Sequence, residues 1–438
     1  MEPDTLLIWC VGLLTMSVVT IPFYVRRRKV EQASAKAEDT AEYYGLQEPV
    51  TIHPIVHPGA CIGTGSCISV CPEGEVIGLK NGQAVPIAPG RCIGHGLCER
   101  ACPVHAIQLV FGTATRGVDL PRIKQNFETN VPGLYIIGEL GGMGLIRNAF
   151  EQGRQCIEGI AKEPRAGPAD ALDVVVVGAG PAGLSAALNC LHRKLKFVTV
   201  EREDIGGTVR YYPRKKVVMT APLDVPGYGR LRHTEISKEQ LMELWDDIIR
   251  KTGLKVRTEE TVTRIERGAD GCFIVATNKA SYKTKRAVLA IGRRGVPRKL
   301  GIPGEDLAKV SYSLLEPEAY QGEHIMVVGG GDSAVEAALA LGDQPGNHVA
   351  ISYRRAAFNR IKSKNRNRID AAQTAGRIEV LWRTQVSELT SDSVIYRDAQ
   401  ERLHTRPNDS IFIFAGGELP NTFLKSCGIA IDTKFGQP

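Results

Sequence analysis

The pattern of apolar and polar positions opens with one long uncharged stretch. No charged residue occurs from Leu6 to Val25, which matches the roughly 20 residues that a helix needs to cross a hydrocarbon core of about 30 Å. Arg26 to Lys29 follow directly, whereas the residues in front include Glu2 and Asp4. A cleavable signal peptide has its basic residues before the apolar stretch, so this order indicates a retained anchor, with a buried helix of a soluble domain as the alternative. The positive-inside rule then predicts a single-pass protein of the inner (cell) membrane whose other domains are cytoplasmic.

A second pattern, an apolar strand followed by a turn of small residues, occurs twice. In the first copy, Val174 to Val177 predict a buried parallel strand, and the glycines of GAGPAG, from Gly178 to Gly183, predict the tight turn that opens a helix. Glu201 ends the next strand, where a carboxylate can bind a ribose hydroxyl while the helix N-terminus faces a pyrophosphate. These features together indicate a dinucleotide site, and the alternative is a glycine turn without a ligand.

The second copy begins at His324 and has small residues at the three turn positions of the segment GGGDSA. Its second strand ends in Arg354 and Arg355 instead of an acid. An acid would favour the free 2'-hydroxyl of NAD, whereas a guanidinium pair suits the 2'-phosphate of NADP. The sequence therefore predicts NADPH at this site. The alternative interpretation of the basic run that continues to Arg368 is a solvated helix face.

Two cysteine-rich runs form an internal repeat, CIGTGSCISVCP from Cys61 and CIGHGLCERACP from Cys92. They resemble the bacterial two-cluster ferredoxin repeat C-x2-C-x2-C-x3-C-P, in which each cluster takes three cysteines of one run and the last cysteine of the other. The second cysteine of the pattern is replaced by Thr64 in one run and by His95 in the other. Thr64 is a poor iron ligand because its hydroxyl is neutral, whereas His95 is a candidate fourth ligand.

The resemblance implies two iron-sulfur clusters, 3Fe-4S or 4Fe-4S, with three thiolates each. One set is Cys61, Cys67 and Cys102, and the other is Cys92, Cys98 and Cys71 with His95. Zinc and disulfides are the alternatives, but zinc prefers four ligands in paired spacings and cytoplasmic thiols stay reduced. The other five cysteines stand singly among apolar residues, and we expect them to fill the core: Cys10, Cys156, Cys190, Cys272 and Cys427.

Length, composition and charge limit the remaining possibilities. A chain of 438 residues with 43% hydrophobic residues is long enough for two or three domains with their own cores. The net charge of +7 is modest, and the basic run after Tyr353 has no interleaved aromatic residues. We therefore expect no nucleic-acid partner.

The two dinucleotide motifs in one chain resemble the thioredoxin reductase-like branch of the two-dinucleotide-domain flavoproteins. That resemblance covers Asp173 to the C-terminus and includes the closing strands VLAIGRRG (Val288 to Gly295) and IFIFAGGELPN (Ile411 to Asn421). It implies FAD in the first unit and NAD(P)H in the second, with the second inserted between residues 298 and 404. It also implies that the backbone of Gly206 and Gly207 approaches the flavin, and that the protein is a homodimer.

The family's last flavin-binding segment, T-x-V-P-G-L-[YF]-x-x-G-D, is not found after Asn421. A matching segment, TNVPGLYIIGELGGMGLIRNAFEQGRQ, occurs upstream from Thr129 to Gln155. The chain therefore resembles a circularly permuted member, joined through the Pro, Ala and Gly-rich residues 161–172. The family's acid is Glu139 here instead of Asp, preceded by Gly138. We expect it to contact the ribityl chain, and a helix that begins near Leu145 to direct its N-terminus at the flavin.

The resemblance also bears on the reaction. Thioredoxin reductases have a redox C-x-x-C, which this sequence lacks, and the related bacillithiol-disulfide reductases have a cysteine where this chain has Ala182. The nearest functional analogue is therefore the ferredoxin-NADP reductase of the thioredoxin reductase type. We expect NADPH to give a hydride to FAD, which exchanges single electrons with the clusters and thereby with a donor or acceptor protein or a membrane carrier. The alternatives are a redox or oxygen sensor, a membrane scaffold, and a disulfide reductase that uses external thiols.

The sequence thus predicts an α/β fold with two Rossmann-like FAD/NAD(P) domains, a small ferredoxin-like α+β iron-sulfur domain and an N-terminal transmembrane helix. The predicted boundaries are an anchor at 1–29, a juxtamembrane spacer at 30–50, the iron-sulfur domain at 51–112, the permuted FAD-binding segment at 113–160, the linker at 161–172, the FAD-binding domain at 173–297, the NADP-binding domain at 298–404 and a return to the FAD domain at 405–438. The candidate nucleotide-binding residues are Gly138, Glu139, Gly178, Gly180, Pro181, Ala182, Gly183, Glu201, Gly206, Gly207, Gly329, Gly331, Asp332, Ser333, Ala334, Arg354 and Arg355. No side chain is expected to act as a catalytic acid, base or nucleophile.

Overall fold

The computed structural model describes residues 3–43, 46–47, 49, 52–142, 144–163, 167–212, 217–219, 222–232, 235–293, 296–358, 361–418 and 420–437. The chain forms two compact units, one of Met1–Val118 with Phe435–Pro438 and one of Asp119–Lys434. Parts of several predicted features lie outside the described residues, among them 1–2 of the anchor, 44–45, 48 and 50 of the spacer, 143 of the permuted segment, 164–166 of the linker, 294–295 of the first closing strand, 359–360 of the basic run and 419 of the second closing strand.

The first unit combines one long helix with short strands and two short helices. In chain order these elements are α1 (Pro3–Tyr43), β1 (Ile52–Val56), α2 (Ser66–Ser69), β2 (Ile77–Lys80), β3 (Gln83–Pro86), α3 (Leu97–Arg100) and β4 (Ile107–Phe111). β1 pairs with β4 antiparallel, and β2 and β3 form a hairpin.

Helix α1 continues without a break from the predicted anchor into the predicted spacer and ends at Tyr43, with Pro22 inside it. The protein leaves its apolar part uncovered, as at Trp9, which is 64% exposed. The hydroxyl groups of Ser17 and Thr20 donate to carbonyls four residues earlier, so these polar groups are satisfied within the helix. By length and composition, α1 is the one described helix that could cross a membrane. Cys10 is exposed on this helix, so the expectation that it fills the protein core is wrong.

The two cysteine runs fold alike. Each has two glycines with left-handed φ, 69° and 72° at Gly63 and Gly65 in the first run and 82° and 69° at Gly94 and Gly96 in the second. α2 and α3 begin directly after the second glycine of their runs. Glycine adopts this backbone without strain, so both runs turn at the same two positions before their helices begin.

The second unit contains two parallel sheets and several small antiparallel sheets. In chain order its elements are β5 (Val118–Pro121), β6 (Leu134–Ile136), α4 (Ile146–Lys162), β7 (Val174–Val177), α5 (Pro181–His192), β8 (Phe197–Val200), β9 (Val217–Met219), β10 (Leu223–Val225), β11 (Gly229–Leu231), β12 (Glu235–Ser237), α6 (Lys238–Thr252), β13 (Val262–Arg267), β14 (Phe273–Thr277), β15 (Ser281–Thr284), β16 (Ala287–Leu289), β17 (Val296–Pro297), β18 (Val310–Ser311), β19 (His324–Val328), α7 (Asp332–Gly342), β20 (His348–Tyr353), α8 (Ser363–Thr374), β21 (Ile378–Trp382), β22 (Gln385–Leu389), β23 (Ser393–Arg397), β24 (Leu403–Pro407), β25 (Ser410–Ile413), β26 (Gly417–Glu418), α9 (Asn421–Ser426) and β27 (Ile431–Lys434).

The first parallel sheet has the order β6-β16-β7-β8. Its central valines are fully buried because helices or strands cover both faces of the sheet. β6 comes from the predicted permuted segment and pairs with β16, and the N–H of Ile137 continues this pairing to the carbonyl of Leu289 at 3.0 Å. α4 lies against α5 so closely at Gly153 that a Cβ there would be 2.4 Å from the carbonyl oxygen of Ala182. The segment upstream of the linker therefore belongs to this sheet.

The C-terminal strand lies beside the start of the permuted segment. β27 pairs with β5, and Arg122 forms a bidentate ion pair with Asp432 at 2.7 and 2.9 Å. The side chain of Asn130 donates to the carbonyl of Gly428 at 2.9 Å and accepts from the N–H of Ala430 at 2.8 Å. The end of the second unit thus lies next to the residues that would follow it in an unpermuted chain.

The second parallel sheet has the order β18-β25-β19-β20-β21. α7 packs on it through fully buried small residues, among them Ala334 and Ala338. An antiparallel sheet of β22, β23 and β24 follows. β25 falls within the predicted return to the FAD domain, yet it pairs with β18 and β19. The second sheet therefore extends beyond the predicted boundary at residue 404. The strand β25 follows that boundary in the sequence, but its hydrogen-bond partners β18 and β19 precede it.

Candidate functional site

The first glycine turn joins β7 to α5 and leaves one open side. Gly178 has a φ of 104°, and a Cβ there would lie 2.5 Å from the carbonyl oxygen of Ala290. A Cβ at Gly183 would lie 1.8 Å from the carbonyl oxygen of Gly178. A Cβ at Gly180, by contrast, would meet no atom of the described residues within 4 Å. The turn therefore needs two glycines for its own packing and presents the third to open space, which a pyrophosphate can approach.

Two further predicted elements lie at the same turn. The carboxylate of Glu201 accepts from the N–H of Ala179 at 2.6 Å and from that of Glu203 at 3.0 Å. The N–H of Gly206 donates to the carbonyl of Ala179 at 2.9 Å, and a Cβ at Gly207 would lie 3.1 Å from Cα of Gly180. The structure thus brings the terminal acid and the Gly206-Gly207 backbone to the first glycine turn.

The upstream segment also reaches this place. Ala182 lies in the first turn of α5, after Pro181, and faces Gly138. A Cβ at Gly138 would lie 2.9 Å from the methyl group of Ala182. The N–H of Gly138 donates to the side-chain oxygen of Gln152 on α4 at 2.7 Å. Glu139 follows in a half-buried position. α4 begins at Ile146, with no side chain capping its N-terminus, so the positive end of its dipole is available to a ligand.

Arg293 is a residue that the sequence reasoning missed. It follows β16 past Ala290 and is half-buried, and this burial lowers its pKa while the carboxylates of Glu139 and Asp119 act in the opposite direction. A half-buried cation whose charge interacts with the predicted ribityl acid is a further candidate for the flavin site. Nothing in the local sequence distinguishes it from the other arginines nearby.

The second glycine turn repeats the geometry of the first. Gly329 has a φ of 143°, and a Cβ there would lie 2.6 Å from the carbonyl oxygen of Phe414 and 3.1 Å from the methyl group of Ala334. A Cβ at Gly331 would meet nothing within 4 Å. Asp332 and Ser333 follow in the first turn of α7. The carboxylate of Asp332 is engaged, because it accepts from the N–H of Lys362 at 2.9 Å and from Asn365 at 2.7 Å.

A cavity with about 810 Å³ of empty space lies where β20 ends. Four arginines from separate strands and turns line it, which we call the arginine cavity: Arg354, Arg355, Arg383 and Arg397. Arg397 pairs with Glu401 at 3.4 Å, whereas no ion pair among the described residues includes any of the other three. The carboxylates of Asp398 and Glu401 also line the cavity, but Asp398 pairs with Arg402 and Glu401 with Arg397, so Arg354, Arg355 and Arg383 can attract an anionic ligand. Arg383 and Arg397 were missed by the sequence reasoning because the fold alone brings them to Arg354.

The predicted cysteines of the second cluster set come together. A pocket of about 320 Å³, open solvent included, is lined by Cys71, Cys92, Cys98 and His95. Burial raises the pKa of Cys92 to about 11 and also raises that of Cys98. Such thiols are protonated at neutral pH, and a metal that binds them must displace the protons.

The first set has the surroundings of a cluster as well. Sγ of Cys61 accepts from the N–H of Ala84 at 3.4 Å, and Sγ of Cys102 accepts from the N–H of Ala106 at 3.2 Å. Burial raises the pKa of Cys67 to about 11. Thr64, in contrast to His95, is exposed, and its hydroxyl interacts with Ser66 of its own loop at 3.2 Å. The two sets therefore differ at the position of the missing cysteine.

The donor sets fit polynuclear clusters better than the alternatives. All eleven cysteines lie in the described residues and are free, so the structure contains no disulfide. No three His, Cys, Asp or Glu side chains in the described ranges converge tightly enough for a single metal ion. Zinc needs its ligands around one ion, whereas an iron-sulfur cluster takes one thiolate for each iron and so accepts wider spacing.

Residues 175–438 match the family model described as pyridine nucleotide-disulphide oxidoreductase. The chain belongs to this family. Residues 53–103 of this oxidoreductase match a second model, described as a 4Fe-4S dicluster domain. The enzyme is therefore an FAD-dependent NAD(P)H oxidoreductase with an iron-sulfur domain, as the sequence predicted.

Similar proteins agree with this assignment. The oxidoreductase is 27% identical to the bacilliredoxin reductase Bdr of Bacillus subtilis over 60% of this chain and 82% of that protein. It is 34% identical to a ferredoxin-NADP reductase of Ignicoccus hospitalis over 42% of this chain and 57% of that protein. Among solved structures, the bacillithiol disulfide reductase Bdr from Staphylococcus aureus matches with a TM-score of 0.53 and 25% identity over 60% of this chain and 82% of that chain.

Proposed function

We propose that this oxidoreductase is anchored in the membrane and passes electrons between NADPH, FAD and two iron-sulfur clusters, as a fused relative of the ferredoxin-NADP reductases. One observation carries the proposal: a single chain has two glycine turns with an open third position and two sets of cysteines without any disulfide. Bound FAD would take up a hydride and exchange single electrons. It would therefore link NADPH, which donates two electrons at once, to clusters that carry one electron at a time. The direction of flow depends on the potentials of the partners, and the same residues serve both directions.

The residues of the first turn have a binding role. The open side at Gly180 would admit the pyrophosphate, the α5 N-terminus would face its charge, and Glu201 would exchange its contact with Ala179 for a ribose hydroxyl. Glu139 would bind the ribityl chain, while Arg293 and the α4 N-terminus would place positive charge beside the flavin ring. The support is the convergence of these groups at one turn.

NADPH is the proposed nicotinamide substrate because of the arginine cavity. The 2'-phosphate would lie at the end of β20, where Arg354 and Arg355 supply the contacts that the sequence predicts and Arg383 adds a third guanidinium. NADH lacks that phosphate and so would make no charged contact with these three guanidinium groups.

We infer different fourth ligands for the two clusters. His95 lines the same cavity as Cys71, Cys92 and Cys98 and would ligate the second cluster, whereas Thr64 would leave the first with three thiolates. Reduced samples should show a nitrogen hyperfine coupling by electron-nuclear double resonance, and His95→Ala should remove it. Thr64→Ala serves as the control and should leave it unchanged. If the coupling survives in His95→Ala, this ligand assignment is wrong.

Disulfide reduction is the second candidate, favoured by the names of the Bdr relatives. A reactive thiol at the flavin would be needed, yet Ala182 occupies that position, and burial raises the pKa of both Cys156 and Cys190 on the adjacent helices. Reduction of a disulfide through external thiols would therefore need a partner that supplies the whole dithiol. We also expect a homodimer, by resemblance to the family.

An anaerobic stopped-flow titration with NADPH and with NADH tests the proposal. Flavin and cluster absorbance are followed, with electron paramagnetic resonance on samples frozen along the way. Faster flavin bleaching by NADPH, followed by a change in the cluster signal, is the expected result. Flavin reduction without any cluster response would instead indicate a sensor, and purification without flavin or iron would indicate a scaffold.

A further inference from the structure

The cytoplasmic half of α1 is fastened to the hairpin β2-β3. Oε1 of Glu31 accepts from the N–H of Gly82 at 2.8 Å, and Oγ of Ser34 accepts from the N–H of Leu79 at 2.9 Å. Glu38 forms an ion pair with Lys80 at 2.9 Å. The three helix residues are three and four positions apart and so share one face. These three contacts therefore fix the position of the hairpin along the axis of α1.

The end of this contact that lies nearest the N-terminus of α1 reaches the basic residues after the apolar stretch, Arg26 to Lys29, which we call the basic belt. Arg27 is half-buried, unlike its exposed neighbours in the belt, and its guanidinium occupies the space beside Gly82 that a Cβ would fill. Val25 is the last residue of the apolar stretch, and Arg27 lies only about 3 Å farther along the helix axis. The turn of the hairpin is held by both Arg27 and Glu31, which lie about 3 and 9 Å beyond Val25, so it lies close to the end of the apolar part of α1.

The first cluster set is attached to the same turn. Gly63 packs so closely on Gly82 that a Cβ at 63 would lie 1.9 Å from the carbonyl oxygen of Gly82 and 3.6 Å from Arg27. The hairpin also donates a hydrogen bond from Ala84 to Sγ of Cys61 at 3.4 Å. Gly63 lies between Cys61 and Thr64, so the loop of the first cluster lies at the membrane end of the domain. Next to it, Ile62 is 65% exposed, which places an apolar side chain on this loop without a protein partner.

We propose that the first cluster exchanges electrons with a carrier of the quinone class dissolved in the membrane, reached through the loop from Cys61 to Thr64. This inference rests on the proposed function, since it needs an anchored α1 and a reducible cluster. NADPH releases two electrons and one proton as it becomes NADP⁺, and the quinone takes up two electrons and two protons to become a quinol. The net reaction, NADPH + H⁺ + quinone giving NADP⁺ + quinol, is balanced when the cluster passes two electrons in succession. The second set lacks such a contact with α1 among the described residues, which distinguishes the two clusters.

The test separates the cluster from the membrane without disturbing the helix contacts. Seven helix-forming residues, about two turns or 10 Å, are inserted between Val25 and Arg26, which keeps the face of α1 and its contacts with the hairpin. The control has the same seven residues at the N-terminus of the full chain. Both proteins are reconstituted in lipid vesicles that contain a decyl-substituted benzoquinone, and quinone reduction by NADPH is compared with reduction of water-soluble ferricyanide.

We expect the insertion to lower quinone reduction on the order of a hundredfold, the loss typical of displaced reactants, while ferricyanide reduction stays unchanged. Lipids with a nitroxide headgroup should also speed the spin relaxation of a cluster in the control protein and not in the insertion protein. A less invasive variant, Ile62→Glu, should lower quinone reduction alone, whereas Leu403→Glu, an equally exposed residue of the other unit, should change neither rate.

Three outcomes would overturn the inference: equal quinone rates in insertion and control proteins, equal relaxation in both, or reduction of a soluble ferredoxin with no reduction of the quinone. Each of these leaves the proposed function standing if ferricyanide is still reduced. Failure of NADPH to reduce either acceptor in the wild-type protein would instead refute the proposed function itself.

Discussion

At the scale of single residues, two glycines of the first turn, Gly183 and Gly180, have different roles. Gly183 is required by the protein, because a side chain there would collide with the carbonyl of Gly178. Gly180 has no such neighbour and an ordinary φ of −72°, so any small residue fits the protein at that position. Its absence of a side chain matters only when a ligand approaches.

This difference predicts opposite phenotypes for the same substitution. Gly180→Ala should greatly reduce the FAD content, since the new methyl group stands where the pyrophosphate passes, and should leave the melting temperature of the flavin-free protein within about 1 °C of that of the flavin-free wild type. Gly183→Ala should lower the free energy of unfolding by about 1–3 kcal/mol, the usual cost of overpacking. Thermal unfolding and bound flavin per chain are the measurements. Full FAD content in Gly180→Ala would contradict the assignment of the first turn to FAD.

The arginine cavity gives a second prediction at this scale. Arg383→Gln should raise the KM for NADPH about 10- to 100-fold and leave that for NADH unchanged, because a hydrogen bond to a charged group contributes about 1.5–3 kcal/mol. Steady-state kinetics with both nucleotides measure the change. Arg377→Gln is the matched control, since Arg377 pairs with Asp343 away from the cavity. An equal effect on both nucleotides would mean that Arg383 does not contact the 2'-phosphate.

At the scale of elements, the contact between α4 and α5 joins the upstream segment to the first parallel sheet. Gly153 allows this approach, because a Cβ there would lie 2.4 Å from the carbonyl of Ala182 and 2.8 Å from Cβ of Ser185. The hydroxyl of Ser185 donates to the carbonyl of Phe150 on α4 at 2.5 Å. The two helices thus touch along their backbones beside the first glycine turn.

A substitution that pushes these two helices apart should lower both the free energy of unfolding and the amount of bound FAD. Gly153→Val should lower the free energy of unfolding by about 1–3 kcal/mol and reduce bound FAD, because α4 must move away from α5. Gly159→Ala on the same helix meets no atom within 4 Å and should be neutral or stabilise by up to about 1 kcal/mol. Chemical denaturation and flavin absorbance measure both. A Gly153→Val protein with normal stability would show that the close helix contact is not formed.

At the scale of the whole molecule, the two ends of the sequence of the second unit lie next to each other in its structure. Its C-terminal strand β27 lies beside β5, and Asn130 bonds to the backbone at Gly428 and Ala430. A chain reconnected in the family's order would therefore join ends that already lie close together.

We therefore predict that a rearranged chain, with residues 167–434 first, then a short Gly-Ser linker, then residues 119–162, folds and binds FAD. It should reduce ferricyanide with NADPH within about threefold of the rate of the full chain, since every contact of the second unit is retained. Gel filtration, flavin content and steady-state kinetics are the measurements. The same rearrangement with residues 119–162 omitted is the control and should not retain flavin; retention by that control would exclude a role for the upstream segment in the site.

The sequence by itself determined the elements that local patterns specify. Consecutive valines and glycine turns predicted β7 with α5 and β19 with α7, because buried strands and tight turns restrict the residue types that can occupy them. The two cysteine runs predicted the donor sets, and the apolar stretch predicted a helix of membrane-spanning length. The family assignment follows from the same local signals.

Only the tertiary structure decided which distant segments meet. Arg383 and Arg397 reach Arg354 because β21, β22 and β23 run past the end of β20, and Arg293 interacts with Glu139 because the strand that precedes it, β16, pairs with β6. Most of the predicted spacer is part of helix α1, and it fixes the position of the hairpin β2-β3 along that helix. Its residues Glu31 and Ser34 accept hydrogen bonds from backbone N–H groups of this hairpin, which lies about 50 residues farther along the chain. Such contacts depend on the packing of whole elements, and no local pattern of residue types encodes them.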